Sequence, residues 1–427
     1  MMRRVVVTGM GICCPLGTGV ANVWKKLLDG RSGITRLPSK GQFEGIPSQV
    51  VGRVPQGTER GYFNERDWVT PSERRSMALG SVYSLCAATE ALGDAKWKAD
   101  SEEKAIRSGV SIGSGAEVNE VLDTITKALS SHKRWSRRLS PYFVPQTLTN
   151  LPAGHVSIRF GLQGPNHSAF TACATGAHSI GDAFFMITHG AADVMVAGGT
   201  EACVNPLVFA GMTSMRALST NFNDDPERAS RPFDARRDGF VLSEGAGIVV
   251  LEELNHAKQR GAEIHAEILG YGMSGEAYHI TSPTKNGRGV QLCMQATLRD
   301  AGVCETDVGY VNAHATSTRL GDAAESRAIK CVFGSHSDSV LVSSTKGSTG
   351  HLQAAAGAVE TIFTILSVRD GVIPPNLNLE QTDIKLGLKY VSRQAREWVP
   401  GHGKRRIAIT NSSGFGGTNA SLCIGAL

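Results

Sequence analysis

Apolar positions along this chain fall into short runs rather than long stripes. The segment from Arg3 to Gly11, built on Val5-Val6-Val7, reads as a buried strand ending in a glycine turn. Ala192-Asp193-Val194-Met195-Val196-Ala197 leads into Gly198-Gly199, and Gly247-Ile248-Val249-Val250-Leu251 is a further run with β-branched content. Helical stretches alternate with these runs, which predicts a layered α/β architecture. No apolar run approaches 18 residues, so the sequence offers no membrane-spanning helix.

No Pro- or Ser-rich linker interrupts the pattern, so any second domain packs tightly on the first. The natural division falls near Leu254, where a strand gives way to a charged helix from Asn255 to Gly261. It separates an N-terminal half, 1–254, from a C-terminal half, 255–427. A weak internal echo accompanies it: Asn166 to Cys173 runs into a small-residue helix, as does Val340 to Lys346.

Composition narrows the class. The 427 residues are 41% hydrophobic and 19% charged, as in a soluble globular protein with a large core. The nine cysteines lack CxxC spacing and suit a reducing compartment, most of them as small buried apolar groups. A net charge of +5 is mild; it favours an acidic partner and is too diffuse to indicate nucleic acid. The start, Met1-Met2-Arg3-Arg4, carries no signal or transit peptide, so the chain acts where it is made or is a processed form.

Two motifs are decoys. Gly9-Met10-Gly11 follows a strand, but the third glycine of a dinucleotide fingerprint falls on Cys14. Gly109-Val110-Ser111-Ile112-Gly113 matches the G-x-S-x-G hydrolase elbow. Here Ser111 sits inside the strand Ser108 to Ile112, which favours a packed serine over a nucleophile.

Four constellations carry chemistry. In Thr171-Ala172-Cys173-Ala174-Thr175-Gly176, the apolar spacing Cys173, Ala177, Ile180, Phe184, Ile187 predicts a helix with Cys173 at its first turn. A thiol there feels the positive helix end and free backbone N–H groups, which predicts a lowered pKa and a thiolate. In Asn312-Ala313-His314-Ala315-Thr316-Ser317-Thr318, a short strand ending in Tyr310-Val311 delivers a histidine among small hydroxyl residues suited to a polar, flexible ligand arm. Lys346-Gly347-Ser348-Thr349-Gly350-His351 precedes a small-residue helix, Leu352 to Glu360, and Lys346 with Glu360 is a candidate buried ion pair. Asn411 to Asn419 is a Gly-rich loop after the strand Ile407 to Thr410, and its glycines would let the Phe415 N–H point at an oxyanion. Together these make a coherent acyl-transfer site.

These motifs, with Val7-Thr8-Gly9-Met10-Gly11 and Asp238-Gly239-Phe240-Val241, resemble the elongating β-ketoacyl-[acyl-carrier-protein] synthases over essentially the whole chain. Within that family the resemblance is to the mitochondrial enzymes of animals, through Gly164-Pro165-Asn166-His167, Ala315 and Gly347. The resemblance implies a thiolase-like five-layered αβαβα fold of two similar halves, a homodimer and a place in the mitochondrial matrix, with the cytoplasm as the alternative. It implies that Cys173 takes an acyl group from a phosphopantetheine thioester, with no further cofactor. His314 and His351 would assist loss of CO₂ from malonyl carrier protein, and the N–H groups of Cys173 and Phe415 would form the oxyanion hole. Lys346 would act near His351, paired with Glu360, while Thr316 and Thr318 would hold the pantetheine arm. His351 separates the chain from initiating synthases, which carry asparagine there. Ser412 and Ser413 stand where thiolases need a second cysteine.

Departures bear on the acyl pocket. Ser413 stands where many relatives carry a gating phenylalanine, Met212 replaces a common phenylalanine near Arg216, and Ala116 sits where a larger residue is usual. A roomier pocket is the expectation. Arg74 and Arg75, with Lys133, Arg134, Arg137 and Arg138, form a basic stretch suited to docking an acidic carrier protein. Asn312, Glu360, Asn411 and Ser412 match positions that bind a monovalent cation in some relatives. A serine hydrolase built on Ser111 and a catalytically silent partner subunit are the competing readings; Cys173 with both histidines argues against the second.

Overall fold

The computed structural model describes residues 3–38, 40–115, 125–126, 130, 139–401 and 403–427. Ala116, Lys133, Arg134, Arg137 and Arg138 lie outside the described residues.

Two halves share one strand pattern. The first contributes Val5–Cys14 (β1), Ser108–Ser114 (β2), Asn166–His167 (β3), Val194–Glu201 (β4) and Gly245–Glu253 (β5). The second contributes Ala266–Gly275 (β6), Tyr310–Asn312 (β7), Leu341–Ser343 (β8), Lys389–Tyr390 (β9), Ile407–Gly414 (β10) and Thr418–Gly425 (β11). The first half runs β3-β2-β4-β5-β1 and the second β9-β8-β7-β10-β11-β6. In each half the outer strands are parallel, and the next-to-last, β5 or β11, is antiparallel to both neighbours. The halves join edge to edge where Val5–Val7 pairs with Ala266–Ile268. A short helix, Leu254–Gln259, makes the connection from β5 towards β6.

Helices complete the layers. Leu79–Ala95 (α1) and Leu151–Phe160 (α2) cover the outer face of the first half. Thr175–Thr188 (α3) lies inside it. Arg288–Ala301 (α4) and Arg319–Phe333 (α5) cover the outer face of the second half, and Ala356–Asp370 (α6) packs beside α3 in the centre. The central core is continuous: Ala177, Ile180 and Phe184 of α3 meet Val359, Ile362 and Phe363 of α6, together with side chains from both sheets. This is the αβαβα layering of the thiolase-like fold.

Strand β1 does not end in a glycine turn. It runs on through Gly9 and Gly11 because α1 lies directly against them: a Cβ on either would come within 2.1 Å of Ala91 O or 1.9 Å of Ala87 O. Ser111 is buried inside β2, donating its hydroxyl to Ser179 O at 2.9 Å, and is no exposed elbow. Among the described residues no helix is long and apolar enough to cross a membrane.

Candidate active site

The chain leaves β3 and reaches Cys173 through a tight elbow. Ala172 takes a left-handed conformation, φ 50°, and residues Ala172–Ala174 form one turn of 3-10 helix before α3 begins. The Thr175 hydroxyl closes the elbow, accepting from the Thr171 N–H at 2.8 Å and donating to Ala172 O at 2.7 Å. The second half repeats the device. Gln353, φ 48°, opens the 3-10 turn Gln353–Ala355 ahead of α6. The two elbows meet, and the Cys173 thiol donates to Gln353 Oε1 at 3.3 Å.

The backbone N–H groups of Cys173 and Phe415 lie close enough to the sulfur to act on its charge. They favour the anion, as does the Lys346 charge, but burial dominates and pushes the thiol up to about 12. The expectation of a resting thiolate is therefore overturned: the helix end and the N–H donors act in a site too dry for their effect to prevail.

His314 follows β7, held by its backbone. The N–H groups of His314 and Ala315 donate to the two carboxylate oxygens of Glu325, on α5, at 2.9 and 2.8 Å. His351 follows the helical turn Lys346–Thr349 and is anchored by its N–H on Val241 O at 2.8 Å. The two imidazoles meet edge to face, centroids 5.3 Å apart at 87°, and Phe240 stands edge-on to His351 at 5.4 Å. Burial, and then the Lys346 charge, hold both rings well below the usual histidine range, so both are neutral. Each Nδ1 is buried without a hydrogen-bond partner.

Lys346 is fully buried and ion-paired with Glu360 on α6. Burial pushes the Glu360 carboxyl up to about 7, against the pull of Lys346. Around the pair, Asn312 Nδ2 donates to Glu360 O at 3.1 Å and to Thr364 Oγ1 at 3.0 Å. Asn312 Oδ1, Glu360 Oε2 and the Ser412 hydroxyl remain without partners. Asn411 is committed elsewhere, its amide donating to Glu325 at 3.1 Å and its carbonyl accepting from Ser421.

The Gly-rich segment is less of a loop than the sequence implies. Asn411, Ser412, Ser413 and Gly414 belong to β10, and only Phe415–Gly417 turn the hairpin. Ladder pairing with β11 extends the strand, from Asn411 against Ser421 to Gly414 against Thr418. A Cβ on Gly414 would stand 2.5 Å from Thr171 O, so glycine there lets the hairpin reach the elbow.

A cavity of about 410 Å³ joins Cys173, His314, His351 and Phe415. Thr316 and Thr318 line it, with their hydroxyls 3.2 Å apart, and so do Arg216 and Ser413. Met212 lies off the cavity, packed among Phe209, Leu218 and Phe240. Arg74 pairs with Glu65 at 2.9 Å and Arg75 is exposed. Sequence reasoning missed Gln353, Glu325 and the placement of Phe240. Glu325 and Gln353 act through close approach of a second element, which leaves no local pattern.

A two-half α/β fold enclosing a buried cysteine, paired neutral imidazoles and a donor hairpin is the framework of a thiolase-like condensing enzyme. Residues 2–257 match the family model for the N-terminal domain of β-ketoacyl synthase, and residues 265–380 match that for its C-terminal domain. The mitochondrial 3-oxoacyl-[acyl-carrier-protein] synthase of Arabidopsis thaliana is 49% identical, covering 100% of this chain and 94% of its own length. The 3-oxoacyl-[acyl-carrier-protein] synthase 2 of Rhizobium meliloti is 48% identical over 99% of both chains. A β-ketoacyl synthase structure from Burkholderia phymatum superimposes over all of both chains with TM-score 0.90 at 35% identity. A structure of a type II polyketide synthase carrier protein with its ketosynthase gives 0.87 at 29%, again over all of both chains. The chain belongs to the β-ketoacyl synthase family, and it is an acyl-transferring condensing enzyme of fatty acid elongation.

Proposed function

We propose that the cavity joins an acyl thioester to malonyl-[acyl-carrier-protein] by decarboxylative Claisen condensation, with Cys173 as acyl carrier. The observation that carries this reading is the pair of neutral imidazoles facing the same cavity as a thiol ringed by two backbone donors. In the first half-reaction the sulfur attacks the acyl carbonyl, the pantetheine thiolate leaves, and the thiol proton returns to it. The N–H groups of Cys173 and Phe415 hold the tetrahedral oxyanion.

Malonyl carrier protein then enters. A neutral imidazole can donate one N–H, so His314 and His351 together offer two donors to the thioester oxygen as CO₂ departs and negative charge gathers there. The resulting enolate carbon attacks the acyl-Cys173 carbonyl, and collapse expels the sulfur, which is reprotonated. Burial, aided by the Lys346 charge, keeps the imidazoles neutral, while Glu360 balances that charge. Thr316 and Thr318 hold the pantetheine arm, Arg216 and Ser413 shape the acyl end, and Arg74 with Arg75 meets the acidic carrier. Met212 acts on the acyl end only through its packing on Phe240.

The reaction needs no cofactor beyond the carrier's own arm. The unpartnered oxygens of Asn312, Glu360 and Ser412 fit a small monovalent cation, which would supply charge balance beside Glu360; the Asn411 side chain, already committed, would serve only to position its neighbours. The chain acts as a homodimer in the mitochondrial matrix, and of these points the mitochondrial setting is supported by the relatives named as mitochondrial.

Condensation of an acyl with a malonyl carrier protein, in native protein and in Cys173→Ala, tests the assignment. β-Ketoacyl product from the native protein alone supports it. Absence of product from correctly folded native protein sinks it.

A further inference from the structure

Gln353 lies outside the residues assigned a role above, yet its side chain hydrogen-bonds the nucleophile directly. Its Oε1 accepts the Cys173 S–H at 3.3 Å, while its Nε2 is buried with no partner. The residue is 9% exposed and faces the cavity. Its backbone is left-handed, φ 48°, a conformation that persists only where the surroundings impose it. The root of the side chain is therefore fixed beside the sulfur, and the soft remaining freedom is rotation of the terminal amide.

We propose that Gln353 is a positioning residue that serves both protonation states of the nucleophile: its carbonyl holds the thiol proton at rest, and after a half-turn of the amide its Nε2 donates to the sulfur anion during thioester exchange. Turning the amide breaks no bond made by Nε2, because Nε2 makes none. A donor on an anionic sulfur forms a charge-assisted bond, stronger than the weak S–H···O bond it replaces. The proton leaving Sγ passes to an imidazole on the same cavity and returns on the departing pantetheine sulfur, so the exchange balances. The inference rests on Cys173 being the acyl carrier.

The test is alkylation of Cys173 by iodoacetamide, resolved by peptide mass spectrometry, at several pH values in full-length native protein, Gln353→Met and Gln353→Glu. Methionine keeps the unbranched length and removes donor and acceptor; glutamate, at the alkaline pH values where it is ionised, keeps only acceptors. Both variants are expected to react about tenfold more slowly at each pH, equivalent to one pH unit. Acyl loading should fall in kcat more than in KM. A merely space-filling role predicts native alkylation in Gln353→Met, and that result overturns the proposal. If Gln353→Met fails to fold, native-rate alkylation of Gln353→Glu overturns it equally. Alkylation involves no carrier substrate, so failure of native protein to condense would strike the acyl-carrier reading separately.

Discussion

Gly176 and Gly357 face each other across the crossing of the two central helices. A Cβ on Gly176 would come within 2.7 Å of Ala358 N, and a Cβ on Gly357 within 2.8 Å of Ala177 N. Each glycine thus makes room for the alanine that follows the other. The reciprocity places the two elbows, and so Cys173 and Gln353, within reach of one another.

Gly176→Ala and Gly357→Ala should each destabilise the protein by about 1–3 kcal/mol through overpacking. Thermal unfolding measures it, and activity should drop further than stability in either variant because the elbows are pushed apart. An unchanged melting temperature in both would show that the helices yield freely.

The imidazoles are predicted to leave the pH profile of condensation flat from pH 8 to pH 6. Both sit well below the usual histidine range, so protonation, and with it loss of the acceptor nitrogen that can take up the thiol proton, begins only at lower pH. His351→Ala should slow malonyl decarboxylation by about 10²–10³-fold, the loss typical of one oxyanion donor, while acyl loading on Cys173 persists. Steady-state rates across pH and trapping of the acyl-enzyme check both points.

Removing the Lys346 charge should act on stability and on the histidines together. Lys346→Met leaves Glu360 buried without its cation, an expected loss of about 3–5 kcal/mol. The carboxyl then binds its proton more tightly still, so its folded pKa stands further above the unfolded one. The penalty is therefore small at acid pH and grows as pH rises, and adding Glu360→Gln should recover much of it. With the cation gone, both imidazoles move up towards ordinary values, and an acidic limb enters the pH profile. Denaturant melts at pH 6 and pH 8 distinguish this from a simple packing defect.

Glu244 gives a second, separate pH signature. It is buried, accepts from the Tyr83 hydroxyl at 3.1 Å and from the Val54 N–H at 3.3 Å, and is pushed up to about 7 by burial. A folded pKa above the unfolded value means stability that is complete below the unfolded pKa and lost as pH rises towards 7. Glu244→Gln keeps the acceptor and removes the ionisation, so it should match native stability near pH 4 and exceed it above pH 7, by about 3 kcal/mol at most. Melting temperatures of the pair across that range decide it.

Much of this site is legible in the sequence because its parts are local. A cysteine ahead of an amphipathic helix, a histidine after a short strand and a lysine fourteen positions before a glutamate all leave traces in spacing. The role of Ser111 was legible too, since a residue inside a strand period cannot stand on a turn. What escaped belongs to contacts between distant segments. Gly9 and Gly11 look like a turn until α1 is laid on them. Asn411 to Gly414 look like loop until β11 pairs with them. The thiol's pKa depends on how dry the sulfur is, and dryness is set by Gln353, Phe415 and their neighbours arriving from elsewhere in the chain. Gln353 itself sits in an alanine-rich stretch with nothing to mark it.

The meeting of the two elbows has an implication for how this enzyme is assembled. Cys173 comes from the first half, and the two imidazoles, Lys346 and the Phe415 hairpin come from the second. Neither half holds a working set of groups. The polypeptide therefore behaves as an internal heterodimer whose subunits share a backbone, and its chemistry is a property of their contact rather than of either fold. A motion that parts the elbows would carry Cys173 away from both imidazoles with the described strands and helices of each half unchanged.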